Sequence, residues 1–416
     1  MSNNDELKKD PSSGGIDNKF YIRIDVNGVE ISPNRILILA IREWIYEKTP
    51  RLEFQFEDAG RFYNIFPLED HSEIKITIAN SKQDVNYVDA TFRLQDYYFD
   101  VSTGNRKIYT YGMTGLLESK GFYIESKTRS FSNSNSSDII DLIASESGFK
   151  SDIRKKSADK MTWYQINMTN QHMVDHLIGR SYIQENDCAF AYADIHSNFV
   201  YASLKTEIVK PVKFKIKYYP DDADPTKDKD PDDKSLTFKS FIIKSFSGTF
   251  NKSSSYQTSL EYYDQTTDQT IVVADDSHEL TTNSLKNKDN AGKLVKNFTF
   301  GMATKNMHDN YHKGMLLNFY QRYNYFPMYA EITCEMKNQP DYFLKDENAI
   351  SLFDIVDVSF VSEVKDKNSI YSGKYIIANI THQINQKGIY MITLMLFRNG
   401  VNMDGSGVDS SQVIVT

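Results

Sequence analysis

The chain has 416 residues, of which 40% are hydrophobic and 13% aromatic, and its formal net charge at pH 7 is -8. This composition excludes a wholly disordered chain, and the length predicts roughly two to four domains. The excess of acidic residues, without any basic block, argues against tight binding to nucleic-acid phosphates. The presence of only two cysteines excludes a disulfide framework. The longest apolar run, near Ile36–Ile41, is far too short to span a bilayer.

Residues 1–17 are polar, and residues 18–120 carry a strong strand signal. The N-terminal stretch lacks the apolar segment of a secretory signal and predicts a flexible arm. In LEFQFE the apolar Leu52, Phe54 and Phe56 alternate with polar residues, and EIKITIA repeats this period of two. Alternating strands separated by turn-rich breaks predict an antiparallel β-barrel or sandwich, and we expect a first β-barrel domain at 18–120.

Residues 121–205 change to a mixed α/β pattern. The segment SSDIIDLIASESGF predicts a helix with Ser136 or Ser137 as N-cap and Gly148 as C-cap, because the isoleucines and the leucine between them form an apolar stripe. The segment MTWYQINM, which follows this helix, reads as a strand.

A second helix of this part is predicted to start at Thr169 or Asn170, either of which can cap it, and to extend to about Arg180. The segment DCAFAYADIHSNFVYASL then predicts a hairpin that turns near Ser197–Asn198. These elements together predict a mixed α/β domain at 121–205.

Strand patterns resume after residue 205 and predict a second β-barrel domain formed by 206–250 and 326–400. Its last two strands, KYIIANITHQI and GIYMITLMLF, are joined by a turn at Asn385–Gly388. Residues 251–325 predict an inserted domain with a helix at 308–325, where apolar and aromatic residues follow helical spacing. We therefore expect a β-dominated α+β fold, with two similar antiparallel β-barrel domains and two inserted mixed α/β domains.

Two polar segments of the second half lie outside these elements. Residues 401–416 form a C-terminal tail, and the acidic segment 220–234 predicts a solvated loop because it has no hydrophobic period. Asp228, Asp230 and Asp232 have the spacing of a calcium loop, but the required glycine is missing and prolines interrupt the segment. We therefore predict no calcium site there.

The motif HMVDH places His172 and His176 four residues apart, as two metal ligands on one face of a helix would be. A zincin helix needs a glutamate directly after the first histidine to activate the metal-bound water, and Met173 stands in that place. A compelling third ligand is lacking, although His196 could be argued for. We therefore expect helix surface, with both histidines on a stripe that faces solvent or another subunit.

A second pair, His308 and His312 in HDNYH, has Asp309 in the place of the glutamate, and its shorter side chain reaches less well. Cys188 and Cys334 each stand in an apolar, strand-like stretch and predict buried structural thiols. The sequence has no nucleophile elbow and no Gly-rich phosphate loop. We therefore assign no catalytic, cofactor-binding or metal-binding residue, and we expect no cofactor and no enzymatic activity.

Three parts of the sequence resemble the baseplate central hub proteins of contractile-tailed bacteriophages, a family that includes the late control D proteins and the hub part of type VI secretion spike proteins. PRLEFQFEDAG and EIKITIAN look like the first barrel of that family. The segment from SSDIIDLIASESGF to DCAFAYAD is similar to its most recognisable part, with Trp163–Gln165, Thr169 onward and Cys188–Tyr192 in its strand, capped helix and hairpin. ISLFDIVDVSFV and SGKYIIANITHQINQKGIYMITLMLFRN resemble its closing strands. Phe353–Asp354 replace the usual Pro-Gly, and the loop 220–234 has no family counterpart.

The resemblance covers most of residues 20–400 in order and implies a structural role without catalysis. Such hubs form a trimeric ring in which each chain supplies two similar, tail-tube-like barrels, so that three chains present six equivalent surfaces. The implied partners are two further copies of the chain, the tail tube protein, the central spike protein, the tape measure protein, the baseplate wedge proteins, and DNA that passes through without specific binding. The implied location is the virion tail baseplate, after assembly in the host cytoplasm, with no membrane association.

Other interpretations of the sequence stay open. The hub of a secretion or tailocin spike would share the same pattern. A metallohydrolase that uses His172 and His176 is less favoured because the motif lacks its general base. A receptor-binding β protein is also less favoured, because fibrous repeats and a Gly-rich shaft are missing from the sequence.

Overall fold

The computed structural model describes most of the chain between residues 20 and 398. The described ranges are 20–58, 68–69, 71–80, 86–103, 107–185, 187–218, 235–238, 240–245, 257–275, 296–303, 306–318, 328–339, 341–344, 349–360 and 371–398. The predicted N-terminal arm 1–17, the predicted tail 401–416 and the acidic loop 220–234 with its three aspartates lie outside the described residues. None of the helices that the structure describes is long and apolar enough to cross a membrane.

Seven strands form what is termed the first strand block: β1 (Phe20–Val26), β2 (Val29–Ile31), β3 (Ile36–Trp44), β4 (Arg51–Asp58), β5 (Glu73–Asn80), β6 (Asn86–Thr103) and β7 (Lys107–Leu117). The predicted alternation is confirmed in β4, where Leu52, Phe54 and Phe56 are buried while Glu53 and Glu57 between and beside them are exposed. The three isoleucines of β5 are buried in the same way. One face of each of these strands enters the core, because successive side chains of a strand point to opposite faces.

The middle part contains β8 (Ser126–Ser134), α1 (Ser136–Glu146), β9 (Lys150–Ile153), β10 (Met161–Thr169), α2 (Asn170–Ile178), β11 (Ala189–Ala193), β12 (Asn198–Ser203) and α3 (Leu204–Ile208). Strand β8 pairs with β10, and a separate sheet has the order β11–β12–β9. The predicted hairpin is confirmed, since β11 and β12 are antiparallel and Ser197 in the turn between them has a φ of 61°. This part has the mixture of helices and strands that its sequence pattern predicts.

The start of α1 differs from the prediction, because Asn135, and neither Ser136 nor Ser137, is its N-cap. Both serines lie in the first turn, fully buried, and their hydroxyls hydrogen-bond to Ser157 and Asp159. Their backbone amides donate to the Asp159 carboxylate and the Ser157 hydroxyl, respectively. A segment some 20 residues further along the chain therefore satisfies the free amides of the first turn, which an N-cap serine would otherwise do.

The other predicted helix ends of this middle part agree with the structure to within two residues. Gly148 directly follows the C-cap residue of α1 with a φ of 83°, a conformation that favours glycine. Thr169 caps α2 as predicted, because its hydroxyl accepts a hydrogen bond from the amide three residues further on. Helix α2 ends at Ile178 with Gly179 as its C-cap, slightly before the predicted end at Arg180.

The second half of the chain contains β13 (Phe214–Tyr218), β14 (Leu236–Phe238), β15 (Ser240–Ser245), β16 (Gln257–Asp264), β17 (Gln269–Asp275), β18 (Lys296–Ala303), α4 (Tyr311–Leu316), β19 (Met328–Glu335), β20 (Ile355–Ser359), β21 (Gly373–Asn385) and β22 (Tyr390–Arg398). Short 3-10 helices span Pro33–Arg35, Met336–Asn338 and Asp341–Leu344. The predicted turn between β21 and β22 is confirmed, with Gly388 at a φ of 71°. The helix predicted over 308–325 begins only at Tyr311, because His308 lies in the turn before it, and residues 319–325 lie outside the described residues.

The second strand block is formed by β13, β14, β15, β19, β20, β21 and β22, whereas β16, β17 and β18 form a separate three-stranded sheet. Both strand blocks belong to one 14-stranded sheet. The first block has the order β2–β1–β5–β6–β7–β4–β3, and the second has the order β14–β13–β20–β21–β22–β19–β15. Antiparallel pairing of β3 with β21 joins the two blocks. The β-dominated α+β fold class, with mainly antiparallel sheets, is thus confirmed.

The turn at Phe353–Asp354 precedes β20. The amide of Asp354 donates to the carbonyl of Ser351 at 3.2 Å, and Phe353 within this turn has a φ of 67°. A positive φ is costly for a bulky residue, but the buried Phe353 ring packs against Phe190 with ring centroids 5.1 Å apart. Packing of the ring therefore stabilises a turn in which a glycine would be the ordinary choice.

Candidate functional site: the histidine pairs and the seam between the strand blocks

The histidines of HMVDH lie in different surroundings. His172 is exposed on α2, whereas His176 is half-buried and contacts the edge of the Trp163 indole, with ring centroids 6.2 Å apart. The predicted exposed stripe is therefore correct for His172 and wrong for His176. The reason is that Trp163, on β10, is fully buried beside α2 and covers part of the histidine ring.

The imidazole of His176 is kept neutral by its surroundings. Burial lowers its pKa to about 4, and the positive charge of Arg180, one turn further along the chain, lowers the pKa in the same direction. At pH 7 this ring is therefore an uncharged aromatic packing group.

The two histidines of the second pair contact different aromatic residues. His308 lies against Trp163, with ring centroids 6.2 Å apart, and burial lowers its pKa. His312 stacks on Tyr262 of β16 with ring centroids 3.7 Å apart. Tyr311 between them accepts a hydrogen bond of 2.6 Å from Nε of Arg180. Two of the four motif histidines therefore meet at one tryptophan and join α2 to the start of α4.

The described residues contain no group of three or more His, Cys, Asp or Glu side chains that could hold a metal ion. His196, the candidate third ligand, lies in the turn between β11 and β12, and its amide donates to Asp194. Cys188 and Cys334 are both buried, as predicted, and burial raises the pKa of the Cys334 thiol. Among the described residues that the sequence singled out, His176, His308, His312 and both cysteines thus contribute to packing, whereas His172 and His196 are exposed.

A cleft of about 370 Å³ lies between the first strand block and residues 119–124 and 171. Its cationic side chains are paired with carboxylates of the same chain. Arg51 lies 3.3 Å from Glu47, and Arg93 forms ion pairs with Glu73 and Glu118. The charges that line this cleft are therefore balanced within the chain.

The pairing of β3 with β21 forms a seam that is reinforced by the buried carboxylate of Glu43. One oxygen of this carboxylate accepts the amide of Ile195 at 2.8 Å, and the other lies 3.3 Å from Nε2 of His382. Nδ1 of His382 lies 2.7 Å from the hydroxyl of Tyr390, and Nδ2 of Asn379 donates to the Glu43 carbonyl at 2.8 Å. The seam therefore fixes three parts of the chain together, namely both strand blocks and the β11–β12 turn.

Two strands outside the seam carry adjacent, exposed apolar side chains. In β6 the exposed fractions are 44% for Tyr97, 54% for Tyr98 and 45% for Phe99, and in β15 they are 37% for Phe241 and 52% for Ile242. Neighbouring apolar residues exposed along a strand indicate an interaction surface. In the sequence, the exposed apolar part of β6 is indicated by the run QDYYFD, in which the alternation of polar and apolar residues stops.

Neither a protein-family model nor a curated protein matches this sequence. Among solved structures, the 43 kDa tail protein of prophage MuSo2 from Shewanella oneidensis is similar, with 11% identity, a TM-score of 0.55, and coverage of 92% of this chain and 100% of that chain. A tail protein from Neisseria meningitidis MC58 is similar as well, with 10% identity, a TM-score of 0.56, and coverage of 92% and 98%. The chain therefore has the fold of these tail proteins, which confirms at the level of the fold the resemblance predicted from the sequence.

Proposed function

We propose that this chain is a structural hub of a contractile phage-tail baseplate. Three copies form a ring with pseudo-sixfold symmetry, which joins the sixfold tail tube to the threefold central spike and leaves a channel for DNA. The fold shared with two tail proteins, one of them from a prophage, supports this role. The chain itself carries out no catalysis, and its partners are the tube, spike, tape measure and wedge proteins.

The observation that carries the proposal is the repetition of one strand order in both strand blocks. When the strands of each block are numbered along the chain without the short β2 and β14, both blocks have the order 1-4-5-6-3-2. The short strands also correspond, since β2 pairs with β1 and β14 pairs with β13. The direction of pairing differs, because β1 is antiparallel to both β5 and β2, whereas β13 is parallel to both β20 and β14.

Two blocks with one strand order support the interpretation as two similar β-barrel domains, at 18–120 and at 206–250 with 326–400. Three chains with two such domains each supply six comparable surfaces, which matches a sixfold partner on one side and a threefold partner on the other. The inserts at 121–205 and 251–325 interrupt the sequence between and within these domains and lie outside the repeated strand order. A formal net charge of -8 is compatible with the passage of DNA without binding.

Native mass spectrometry of the purified chain, alone and with its spike partner, tests the proposal. We expect a species of about three times the chain mass of 48.0 kDa. A single-chain mass under both conditions would contradict the ring.

A further inference from the structure

Strands β21 and β6, which hold the same place in their blocks, share one construction. The first half of β21 pairs with β20 up to Ile376, and a bulge at Ala378 follows in its pairing with β22. The first half of β6 pairs with β5 up to Arg93, and a bulge at Gln95 follows in its pairing with β7. In β21 the bulge therefore lies two residues after the last residue that pairs with β20. In β6 it likewise lies two residues after the last residue that pairs with β5. This agreement aligns Gln95 with Ala378 and so defines which residues of the two blocks correspond.

The second halves of these strands differ in what lies on the edge away from their hairpin partner. In β21, residues 379–385 pair there with β3, which forms the seam. In β6, the corresponding half pairs with β7, and no described strand pairs with its opposite edge. This half carries the exposed Tyr97 and Tyr98. An edge strand with exposed aromatic side chains is a template for a further strand.

Strand β15 is the counterpart of β3, and it too has only one neighbour among the described strands. β3 lies between β4 and β21, whereas β15 pairs with β19, the counterpart of β4. The alignment of Gln95 with Ala378 also aligns Leu94 with Ile377. Leu94 leads through Gly115 to Leu52 of β4, and Ile377 leads through Leu396 to Ala330 of β19, so Leu52 corresponds to Ala330. Leu52 faces Ile41, and Ala330 faces Ile243. Ile243 therefore corresponds to Ile41.

We infer that the second half of β6 in one copy pairs antiparallel with β15 of a second copy and repeats the seam between chains. This inference rests on the proposed hub function and names the surface through which its copies meet. The seam pairs of residues 381, 382 and 383 with Arg42, Ile41 and Ala40 give the register directly. Transferred to β6 and β15, they place Tyr98 opposite Lys244, Phe99 opposite Ile243, and Asp100 opposite Ile242.

The chemistry of the two edges fits this pairing. The exposed aromatic side chains of β6 would cover the exposed Phe241 and Ile242 of β15, and aromatic–aliphatic pairs across strands are favourable. Addition of β15 along this edge would pair the backbones of the two strands. Tyr98 lies across Gly112 of β7, where a Cβ atom would come within 2.2 Å of its ring. The glycine therefore allows Tyr98 to lie flat on its own hairpin.

Pairing between copies also closes a ring. Each copy offers one β6 edge and one β15 edge, so the contact is head-to-tail, and such contacts generate rings when the rotation closes. Within one chain these edges belong to different blocks, which are already joined through β3 and β21. A second copy is therefore the partner that fits both edges.

The test is a disulfide between copies in the double variant Tyr98→Cys, Lys244→Cys. Directly opposed residues of antiparallel strands have Cα atoms about 4.5–5.5 Å apart, which a disulfide can bridge. Both native cysteines are buried and do not compete. After mild oxidation, we expect covalent species of two and three chains on a non-reducing gel. The variant Asp100→Cys, Ile242→Cys tests the same register one pair further along the same face.

The matched control is Tyr98→Cys, Ile242→Cys, which is out of register by two residues. Diagonal Cα atoms lie about 7–8 Å apart, beyond the usual span of a disulfide, so we expect about tenfold less cross-linking. If the protein has the mass of three chains but neither designed pair cross-links, the inference fails and the hub proposal stands. Equal cross-linking of control and designed pairs would overturn the register. A single-chain mass would overturn the hub proposal and the inference with it.

Discussion

At the scale of single residues, Trp163 shows why histidine motifs with the spacing of metal ligands contribute to packing in this fold. Its fully buried ring contacts His176 from one histidine pair and His308 from the other, and both contacts are made between aromatic rings. The sequence shows the spacing within each histidine pair. Nothing in it indicates that one histidine of each pair contacts the same tryptophan. Side chains of the kind that a metal site requires thus hold α2 against the start of α4.

The depressed pKa of His176 predicts a loss of stability on acidification. Between pH 6.5 and pH 4 the unfolded chain binds a proton at this position, whereas the folded chain, with a pKa of about 4, does not. The free energy of unfolding therefore falls as the pH falls through this range, by about 1–2 kcal/mol from this group. Denaturant melts at pH 7 and pH 4.5 should show a smaller loss in His176→Gln. The exposed His172→Gln is the control, and an equal loss in all three proteins would contradict the assignment.

Asp159 is the second residue whose role can be tested. Its buried carboxylate accepts the amides of Ser136 and Tyr182 and the hydroxyl of Ser157, at 2.8, 3.1 and 2.7 Å. Asp159→Ala leaves the buried amides of Ser136 and Tyr182 without this acceptor, so we expect a loss of about 3 kcal/mol or more in the free energy of unfolding. The exposed Asp141→Ala on α1 should change it by less than about 0.5 kcal/mol. Similar denaturation midpoints for both variants would show that the buried carboxylate is not needed.

At the scale of elements, the seam between β3 and β21 connects segments more than 300 residues apart in sequence, since Glu43 and His382 are neighbours there. The alternation in β4 and β5 could be predicted from the sequence because burial of one strand face follows directly from a period of two. The choice of partner strand could not, since periodicity gives no distance between strands remote in the chain. The N-cap of α1 could not be predicted either, because Ser157 and Asp159 accept hydrogen bonds from its first amides. These two residues lie outside the helix, and its own sequence does not indicate them.

The seam itself gives a prediction at this scale. Glu43→Ala removes the acceptor of the Ile195 amide and the partner of His382. We expect a loss of about 3 kcal/mol in the free energy of unfolding, because these groups are buried. Glu53→Ala, an exposed change on the neighbouring β4, should cost less than about 0.5 kcal/mol. Equal midpoints in chemical denaturation would argue against a structural role of the Glu43 carboxylate.

At the scale of the whole molecule, two blocks with the same strand order are fused through one sheet, and the fold matches two tail proteins over more than nine-tenths of this chain. The order of strand blocks and the intervening α/β part could be predicted from composition and periodicity along the chain. The correspondence of registers, which locates the edges of β6 and β15, emerges only from the paired strands. Assembly is the simplest use of a duplicated block, because each added copy contributes two further comparable surfaces.

The most direct test of the account is electron microscopy of the purified full-length chain. We predict end-on views of a ring with threefold symmetry and six similar lobes around an open centre, formed by three chains. Compact single particles without a central opening, in the chain alone and in the presence of its spike partner, would contradict the account.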